Sequence, residues 1–497
     1  MRFGALVRSK RLSAVLLGAA TVLVSAGLAP TAGAAPAAAV QGPDFNGDGY
    51  ADTVVGVYRG DIDGQKSAGY LHVLYGGSSG VGSFTTSVSQ DSPGVPGTSE
   101  KNDQFGSSVA TADVDGDGFT DVVVGAPGED VGSDPAATGH GSVVVLHGSS
   151  SGDFERGRTI AQGPAGGGAG ASLAVGDFTQ DGAVDVAVGL PHGEFGEVTL
   201  RPGPLTEDKP LTSLLRTGFG GTSGRLAAGD FDGNGKTDLA ISSYSNDDSR
   251  TTLWRWNGSA LQEYWKSPAT GYGIAAGDFD GDRVDDLALG HCLIIAEADR
   301  PTGACGPDEL AKGGKVRVFY GGGGAEGFGT RNHTLSQDTP GVAGTAEDAD
   351  NFGIKLAAGD LNGDGRDDLV AGTPAEAIGA LDRAGSATVL TSGPDGLLDD
   401  SGTAKSTAWH QDSAGVPGAP EVNDEFGSAL ALGDHDGDGD GDVTVGVYNE
   451  NSAEYDQSLS TGGIWTLPNG AGAGSKALTA RLFGLRGALY YGQILGR

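Results

Sequence analysis

The sequence predicts an all-β protein folded as a seven-bladed β-propeller. A short acidic motif recurs seven times along the 497 residues, and each copy stands between two short apolar runs. The chain also contains 91 glycines, which interrupt the apolar runs and favour strands and turns over helices. Copies that start roughly 50 to 80 residues apart suit one unit of about four strands with its loops. Units of this kind bury their faces by stacking around an axis.

The amino terminus predicts a secretory signal peptide over residues 1–35, which leaves residues 36–497 for the propeller. Four basic residues precede an apolar run from Leu12 to about Leu28, and small residues follow it. The alternative is an uncleaved membrane anchor, but the run is short and rich in Ala and Gly. We therefore expect a secreted, extracellular protein with no membrane span.

The charge balance excludes some partners. The chain has 65 acidic residues against 31 basic ones, a formal net charge of -34. Nucleic acid is therefore not expected as a partner, nor is an anionic membrane surface.

The two cysteines, Cys292 and Cys305, predict a local disulfide bond in an exported chain. The alternative is a reactive thiol pair or a pair of metal ligands, which lacks the close spacing and nearby partners that such chemistry needs.

The acidic motif predicts calcium sites. It reads Asp, any residue, Asp or Asn, any residue, Asp or Asn, usually Gly, two residues and Asp, so alternate residues direct oxygen atoms to one centre. Calcium takes six to eight oxygen ligands, and we expect side chains at positions 1, 3, 5 and 9 and the backbone carbonyl at position 7. An EF-hand is excluded because its twelfth position is a Glu, whereas here it is apolar, as at Val55 and Val124. The predicted ligands, loop by loop, are Asp44, Asn46, Asp48, Tyr50 and Asp52; Asp113, Asp115, Asp117, Phe119 and Asp121; Asp177, Thr179, Asp181, Ala183 and Asp185; Asp230, Asp232, Asn234, Lys236 and Asp238; Asp278, Asp280, Asp282, Val284 and Asp286; Asp360, Asn362, Asp364, Arg366 and Asp368; and Asp434, Asp436, Asp438, Asp440 and Asp442.

The seven loops are not equivalent. Loop three has Thr179 in place of an acidic ligand and Gln180 in place of Gly, and loop five has Arg283 where the turn Gly belongs. We expect about four to seven bound calcium ions, with loops one, two, six and seven binding best. The alternative for any one loop is an acidic turn with solvated carboxylates. His435, at position 2 of loop seven, is expected to be solvated.

Two further features of the sequence predict how the ring closes and which surface contacts ligands. The first loop starts so early that blade one lacks room for its own first strand, and residues 488–495 are expected to supply it and close the ring. A long excursion also occurs three times, over residues 90–106, 337–353 and 411–427. Its acidic pairs are expected to form a variable rim that contacts ligands: Glu100 and Asp103, Glu347 and Asp350, and Glu421 and Asp424.

Residues 105–127 resemble an FG-GAP repeat of the integrin α-subunit propeller, with Phe105-Gly106, the acidic loop and Gly125-Ala126-Pro127 in order. Similar repeats occur in exported bacterial proteins, so a bacterial secreted protein is expected. The resemblance implies a calcium-binding module for adhesion to an extracellular protein or glycan, here a monomer and not an enzyme. The alternative is a secreted hydrolase or lyase with a site at the propeller centre. Its one supporting pattern, the nucleophile-elbow-like run of residues 148–152, aligns with a repeated turn.

Overall fold

Seven four-stranded antiparallel sheets form the protein in the computed structural model. The structure describes residues 42–132, 138–191, 196–205, 212–216, 225–244, 249–290, 313–322, 327–450, 462–485 and 489–496. The predicted signal peptide and the predicted Cys292–Cys305 disulfide lie outside the described residues.

The strands are short, and Val, Leu, Ala and Thr predominate in most of them, as expected for half-buried or buried β-structure. In the first half of the chain they are β1 (Thr53–Val57), β2 (Tyr70–Tyr75), β3 (Phe84–Val88), β4 (Ser108–Ala112), β5 (Asp121–Ala126), β6 (Ser142–Leu146), β7 (Gly157–Gln162), β8 (Ser172–Gly176), β9 (Asp185–Leu190), β10 (Glu197–Arg201), β11 (Thr212–Arg216), β12 (Arg225–Gly229), β13 (Asp238–Tyr244) and β14 (Ser249–Trp256). In the second half they are β15 (Leu261–Ser267), β16 (Ile274–Gly277), β17 (Asp286–Leu289), β18 (Val316–Phe319), β19 (Asn332–Leu335), β20 (Lys355–Gly359), β21 (Asp368–Thr373), β22 (Ser386–Thr391), β23 (Lys405–Trp409), β24 (Ala429–Gly433), β25 (Asp442–Val447), β26 (Gly463–Leu467), β27 (Lys476–Thr479) and β28 (Ile494–Leu495).

Each sheet is one blade, and in blades two to seven the strands pair in chain order from the innermost to the outermost. Blade two, for example, has the order β4-β5-β6-β7, and the same order recurs in blades three to seven. The predicted seven-bladed all-β propeller is therefore confirmed. Among the described residues, helical structure is limited to a 3₁₀ turn at Pro468–Gly470, and no described helix has the length and apolar character needed to cross a membrane.

The second strand of every blade is the buried core of that blade. All described residues of β1, β5, β9, β17, β21 and β25 are buried, whereas the outermost strand β23 has none that is buried. The apolar clusters cross from blade to blade: Val122 and Val124 of blade two pack with Val54 and Leu71 of blade one. Each blade thus buries its faces against its neighbours, as the repeat required.

The carboxyl end of the chain closes the ring. Strand β28 pairs with β1 through Gly56↔Ile494 and Val55↔Leu495 and supplies the missing first strand of blade one. The closure predicted from residues 488–495 is confirmed, although only two residues form the strand. Tyr491, just before it, is fully buried, and its hydroxyl lies 2.7 Å from Nδ1 of His72 in blade one.

The innermost strands surround a central cavity of about 880 Å³. Each innermost strand contacts the next around the ring, and β28 contacts both β24 and β4. The lining is mostly small and apolar, with Ala110, Ala174, Ala276 and Ala431 among its residues. The lining that the structure describes contains no His, Cys, Glu or Tyr.

The alternation of strand direction sorts the connections onto two faces. The acidic loops lead into strand two of their blades and lie on one face, with the turns between strands three and four. We call this the loop face. The turns between strands two and three, and the three long excursions, lie on the opposite face, which we call the excursion face.

We expect replacement of Leu495 by Ser to lower the free energy of unfolding by about 2 to 4 kcal/mol, because it removes a buried side chain from the closing strand. Leu495 is 6% exposed, whereas Leu482 nearby is 65% exposed. The matched control Leu482→Ser should change stability by less than about 0.5 kcal/mol. Thermal and urea unfolding measure both variants, and equal stability of the two would contradict closure by β28.

Candidate metal centre

The first Asp of each acidic loop is held in place by backbone N–H groups of its own loop. In all seven loops the N–H of position 6 donates to Oδ2 of position 1, at 2.6 to 3.1 Å. In loop two, Gly116 and Asp117 also donate to Oδ1 of Asp113, at 2.7 and 3.2 Å. The backbone therefore fixes the direction of this carboxylate.

The last Asp of the motif ties the loop to the rest of its blade. In six loops its Oδ1 accepts a backbone N–H from the first or second residue after the third strand of the blade. Asp121, for example, accepts the N–H of Gly148 at 2.9 Å. In loop four this residue, Asp238, instead accepts the hydroxyl of Tyr264 at 2.6 Å. Position 9 is thus buried and anchored, and its carboxylate closes one side of the predicted site.

The predicted ligands do come together. Sets of three acidic side chains have oxygen atoms within 4.8 Å of one another in loops two, four, five and seven. They are Asp113, Asp115 and Asp117; Asp230, Asp232 and Asp238; Asp278, Asp280 and Asp282; and Asp434, Asp436 and Asp442.

Loops one and six have an Asn at position 3 and so contribute fewer carboxylates. Asn46 Oδ1 accepts the N–H of Asp48 at 2.9 Å, as the Asp at position 3 does elsewhere. In loop six the amide nitrogen of Asn362 donates to Asp368 at 2.9 Å. Loop three has Thr179, whose N–H donates to Asp185 at 2.6 Å.

Four of the loops also contact a cationic side chain of the protein. Arg255 lies 2.7 Å from Asp232, and Arg331 lies 2.9 Å from Asp280. Arg156 contacts Asp117 at 3.2 Å and Arg366 contacts Asp364 at 2.8 Å. These ion pairs reduce the repulsion among clustered carboxylates and compete with a metal ion for the same oxygen atoms. Nothing in the motif predicts these ion pairs, because each arginine except Arg366 lies far from its loop along the chain.

Loop two has a second, mixed cluster. Nδ1 of His147 lies 3.2 Å from Oδ2 of Asp115 and 3.4 Å from Oδ2 of Asp121. The Asp121 carboxylate, and after it that of Asp115, raises the pKa of His147 against the opposing effect of burial.

Two residues on the loops hold a backbone conformation that usually belongs to glycine. Positions 4 and 6 have positive φ in every loop; Gln180 at position 4 of loop three has φ 58°, and Arg283 at position 6 of loop five has φ 70°. The N–H of Arg283 still donates to Asp278, at 2.7 Å. These loops therefore keep the common backbone shape at a conformational cost, so the expected weakness of loops three and five does not come from a different fold of the loop.

Neighbouring loops are joined directly, which the sequence analysis missed. The N–H of Asp285 donates to the carbonyl of Asp230 at 3.0 Å, and the N–H of Asp230 donates back to Oδ2 of Asp285 at 2.7 Å. Asp367 and Asp278 make the same pair between loops six and five. The signal was present as a second Asp at position 8 of loops five and six.

The prediction that His435 is solvated is wrong. The side chain is 2% exposed; Nδ1 lies 2.9 Å from the carbonyl of Ala51, and Nε2 lies 3.0 Å from Oγ1 of Thr444. Position 2 faces the core in every loop, where it is Phe in four of them. That repeated Phe was the signal that could have placed His435 inside.

The acidic pairs of the excursions form the predicted rim only in part, because Glu100 and Glu347 are exposed whereas the Asp of every pair is buried. Asp103, Asp350 and Asp424 are at most 3% exposed, and each accepts the N–H of its partner Glu within its own turn. A buried Gln at the start of each excursion donates to a Glu beyond the second strand of the next blade: Gln90 to Glu129, Gln337 to Glu376 and Gln411 to Glu450, at 2.5 to 2.7 Å. These side chains hold the excursion to the neighbouring blade, because leaving such polar groups buried and unpaired would be costly.

Burial raises the pKa of many of these carboxylates. On the excursion face it raises the pKa of Asp424 and of Glu450 to about 7, and on the loop face it raises that of Asp52 to about 7 and that of Asp286 to about 8. Neighbouring carboxylates raise each of them further.

Comparison with known proteins agrees with this architecture. The FG-GAP repeat profile matches residues 105–146 and 352–390, and the FG-GAP-like repeat profile matches residues 44–124 and 230–289. The chain is an FG-GAP-repeat β-propeller of the integrin-α-like kind. All four matches begin at or shortly before an acidic loop and end on a strand that follows an acidic loop.

The chain is similar to curated proteins that include a phospholipase D and an integrin α subunit. It is 32% identical over 156 residues to phosphatidylinositol-glycan-specific phospholipase D of Mus musculus, covering 28% of this chain and 18% of that protein. It is 30% identical over 219 residues to integrin alpha-V of Gallus gallus, covering 41% of this chain and 19% of that protein. The chain thus matches about a fifth of the length of each relative. A crystal structure of a protein from Lactobacillus plantarum aligns over 89% of this chain and 98% of its own, with a TM-score of 0.45 and 12% identity.

Replacement of Arg283 by Gly should raise the free energy of unfolding by about 1 kcal/mol, because Gly adopts positive φ without a Cβ clash. The control Arg283→Ala removes the same charge and retains the Cβ. Urea unfolding in the presence of a chelator compares the two. Equal stability of the Gly and Ala variants would show that no backbone strain is stored at this position.

The metal-free protein should lose stability as the pH rises from about 5 to 8. The folded pKa of Asp424 is about 7, above its ordinary value of 3.8, so between these values the folded chain retains protons that the unfolded chain has lost, and each rise in pH costs stability. Asp424→Asn should flatten part of this dependence, whereas the exposed control Asp400→Asn should leave it unchanged. Chelator-treated protein is unfolded with urea at several pH values, and a stability that rises with pH over this window would contradict the prediction.

Proposed function

We propose that this FG-GAP propeller is a secreted, calcium-loaded binding module for an extracellular protein or glycan, and not an enzyme. The observation that carries the calcium part is the common geometry of the seven loops. In each of them the backbone fixes the first carboxylate, and in four of them three acidic side chains converge within 4.8 Å.

The donor set fits calcium better than other common ions. The side chains of the motif offer almost only carboxylate and amide oxygens, which suit a hard cation with a high coordination number. The loops lie at the surface on one face, so a solvated ion can reach them. Without a cation, the clustered carboxylates repel one another, and the four loops with an Arg partner are only partly relieved.

A rigid ring with all of its cation loops on one face leaves the opposite face for recognition. The excursions there are anchored by the buried Gln–Glu pairs, and their tips remain accessible, with Glu100 and Lys101 exposed in the first and Val422 45% exposed in the third. Recognition residues on loops held by a rigid scaffold are a common arrangement. The sequence resemblance to integrin α subunits supports adhesion as the role.

The alternative of a hydrolase or lyase gains little from the central cavity. Its described lining has no His, Cys, Glu or Tyr, and its charged side chains are those of Arg225, Lys355, Asp360 and Asp367. The hydroxyls that line it therefore have no histidine beside them to act as a general base. The exposed Ser149 and Ser151 hydrogen-bond to each other and to Asp153 in the turn between strands three and four. Such a turn fits the repeat and not a nucleophile elbow.

Calcium titration of chelator-stripped protein should show uptake of about four to seven ions, with a rise in melting temperature because binding to the folded state alone stabilises it. At a hundred times Kd each site contributes about 2.7 kcal/mol. Asp434→Asn should reduce the uptake by one ion, whereas the exposed control Asp400→Asn should not. Calorimetry with paired thermal melts gives both quantities. Absence of calcium uptake would show that the loops are acidic turns with solvated carboxylates.

The binding role is tested separately from the calcium. The calcium-loaded protein is screened against immobilised glycans and extracellular matrix proteins, and in parallel against polysaccharide, ester and phosphodiester substrates. Saturable, calcium-dependent binding without turnover supports the proposal. Metal-dependent turnover of any of these substrates would replace it with the hydrolase or lyase alternative.

A further inference from the structure

Loop two differs from the other loops by one residue outside the motif. His147 follows β6 directly and precedes Gly148, whose N–H is bound to Asp121. The equivalent residues in blades one and five are Tyr75 and Tyr320, each of which precedes a glycine that makes the same hydrogen bond.

The tyrosines point away from their own loops, whereas His147 points into its loop. The hydroxyl of Tyr75 donates to the carbonyl of Gly152 in the next blade, and that of Tyr320 accepts the N–H of Leu397 in the next blade at 3.1 Å. The shorter imidazole stays within blade two, with Nδ1 at 3.2 Å from Asp115 and 3.4 Å from Asp121.

Nδ1 of His147 is buried, and no hydrogen bond of normal geometry satisfies it. The His147 side chain as a whole is 11% exposed, as is that of Asp115, and Asp121 is 0% exposed. These three residues offer one nitrogen and two carboxylate oxygens within 4.8 Å of one another. A buried nitrogen aimed at two carboxylates calls for a bound cation between them or a proton on the ring.

The loop has two other acidic residues, and each has partners of its own. Asp113 accepts the N–H groups of Gly116, Asp117 and Gly118, and Asp117 contacts Arg156 at 3.2 Å. The set that contains the buried imidazole nitrogen is His147 with Asp115 and Asp121. A nitrogen ligand with two carboxylates is typical of zinc and its first-row neighbours, whereas calcium prefers oxygen alone.

We propose that His147 is a metal ligand and that loop two binds a divalent transition-metal ion, of the zinc or cobalt class, through His147, Asp115 and Asp121. The proposal rests on the proposed function in one respect, namely that the acidic loops bind cations. It goes beyond it by making one of the seven sites chemically different from the rest.

Cobalt(II) and zinc titration of the full, chelator-stripped chain tests this. We expect one site with visible absorption bands of a mixed nitrogen and oxygen cobalt complex, which excess zinc abolishes. His147→Tyr, which places there the residue of blades one and five, and His147→Gln should each weaken this site by about 100-fold or more. The control His410→Gln, on a half-buried histidine of another blade, should leave it unchanged.

The outcomes separate this inference from the proposed function. Cobalt or zinc affinity within about threefold of wild type in both His147 variants would overturn the inference, even if calcium uptake at the other loops is normal. An increase in calcium affinity in these variants would also overturn it, because it would show a protonated His147 that competes with the metal. Absence of calcium uptake with an intact, His147-dependent cobalt site would instead overturn the calcium proposal alone.

Discussion

The constraint on which the structure depends is that no blade can bury its own second strand. Residues of β1, β5 and their equivalents are buried on both faces, so each needs a neighbour on each side, and only a closed ring supplies one to every blade. The last strand, β28, has only two residues. Without it, β1 would present an unpaired strand edge, and the apolar cluster between blades seven and one would lose Leu495.

The same closed ring organises the loop face. Because adjacent innermost strands touch, acidic loops that follow them also touch, and in four cases a backbone N–H group of one loop donates to the backbone carbonyl of the first Asp of the previous one. In these loops the first Asp is held through its carboxylate by its own loop and through its backbone carbonyl by the neighbouring loop. These hydrogen bonds hold the first Asp in one orientation, which reduces the ordering that cation binding must impose.

More than one kind of side chain compensates the negative charge of the acidic loops. Loops four and five receive an arginine on the carboxylate at position 3, and loop two receives an arginine and a histidine. On the excursion face, buried carboxylates accept hydrogen bonds from the side-chain amides of Gln337 and its two equivalents. Burial also raises their pKa values, to about 7 for Glu376. One repeat unit therefore supports sites of different chemistry, decided by residues outside the repeated motif.

The sequence by itself determined the repeat count, the all-β class, the ring closure and the positions of the acidic loops, because these follow from local spacing and from the need of each unit for neighbours. The tertiary structure alone decided which side chains from distant segments face a loop, as with Arg331 beside Asp280 and His147 beside Asp115. It also decided burial: Asp103 and His435, polar residues in loop sequences, lie inside because their turns pack on the next blade or on the core. Local sequence specifies the turn, but the surface it packs against comes from another blade.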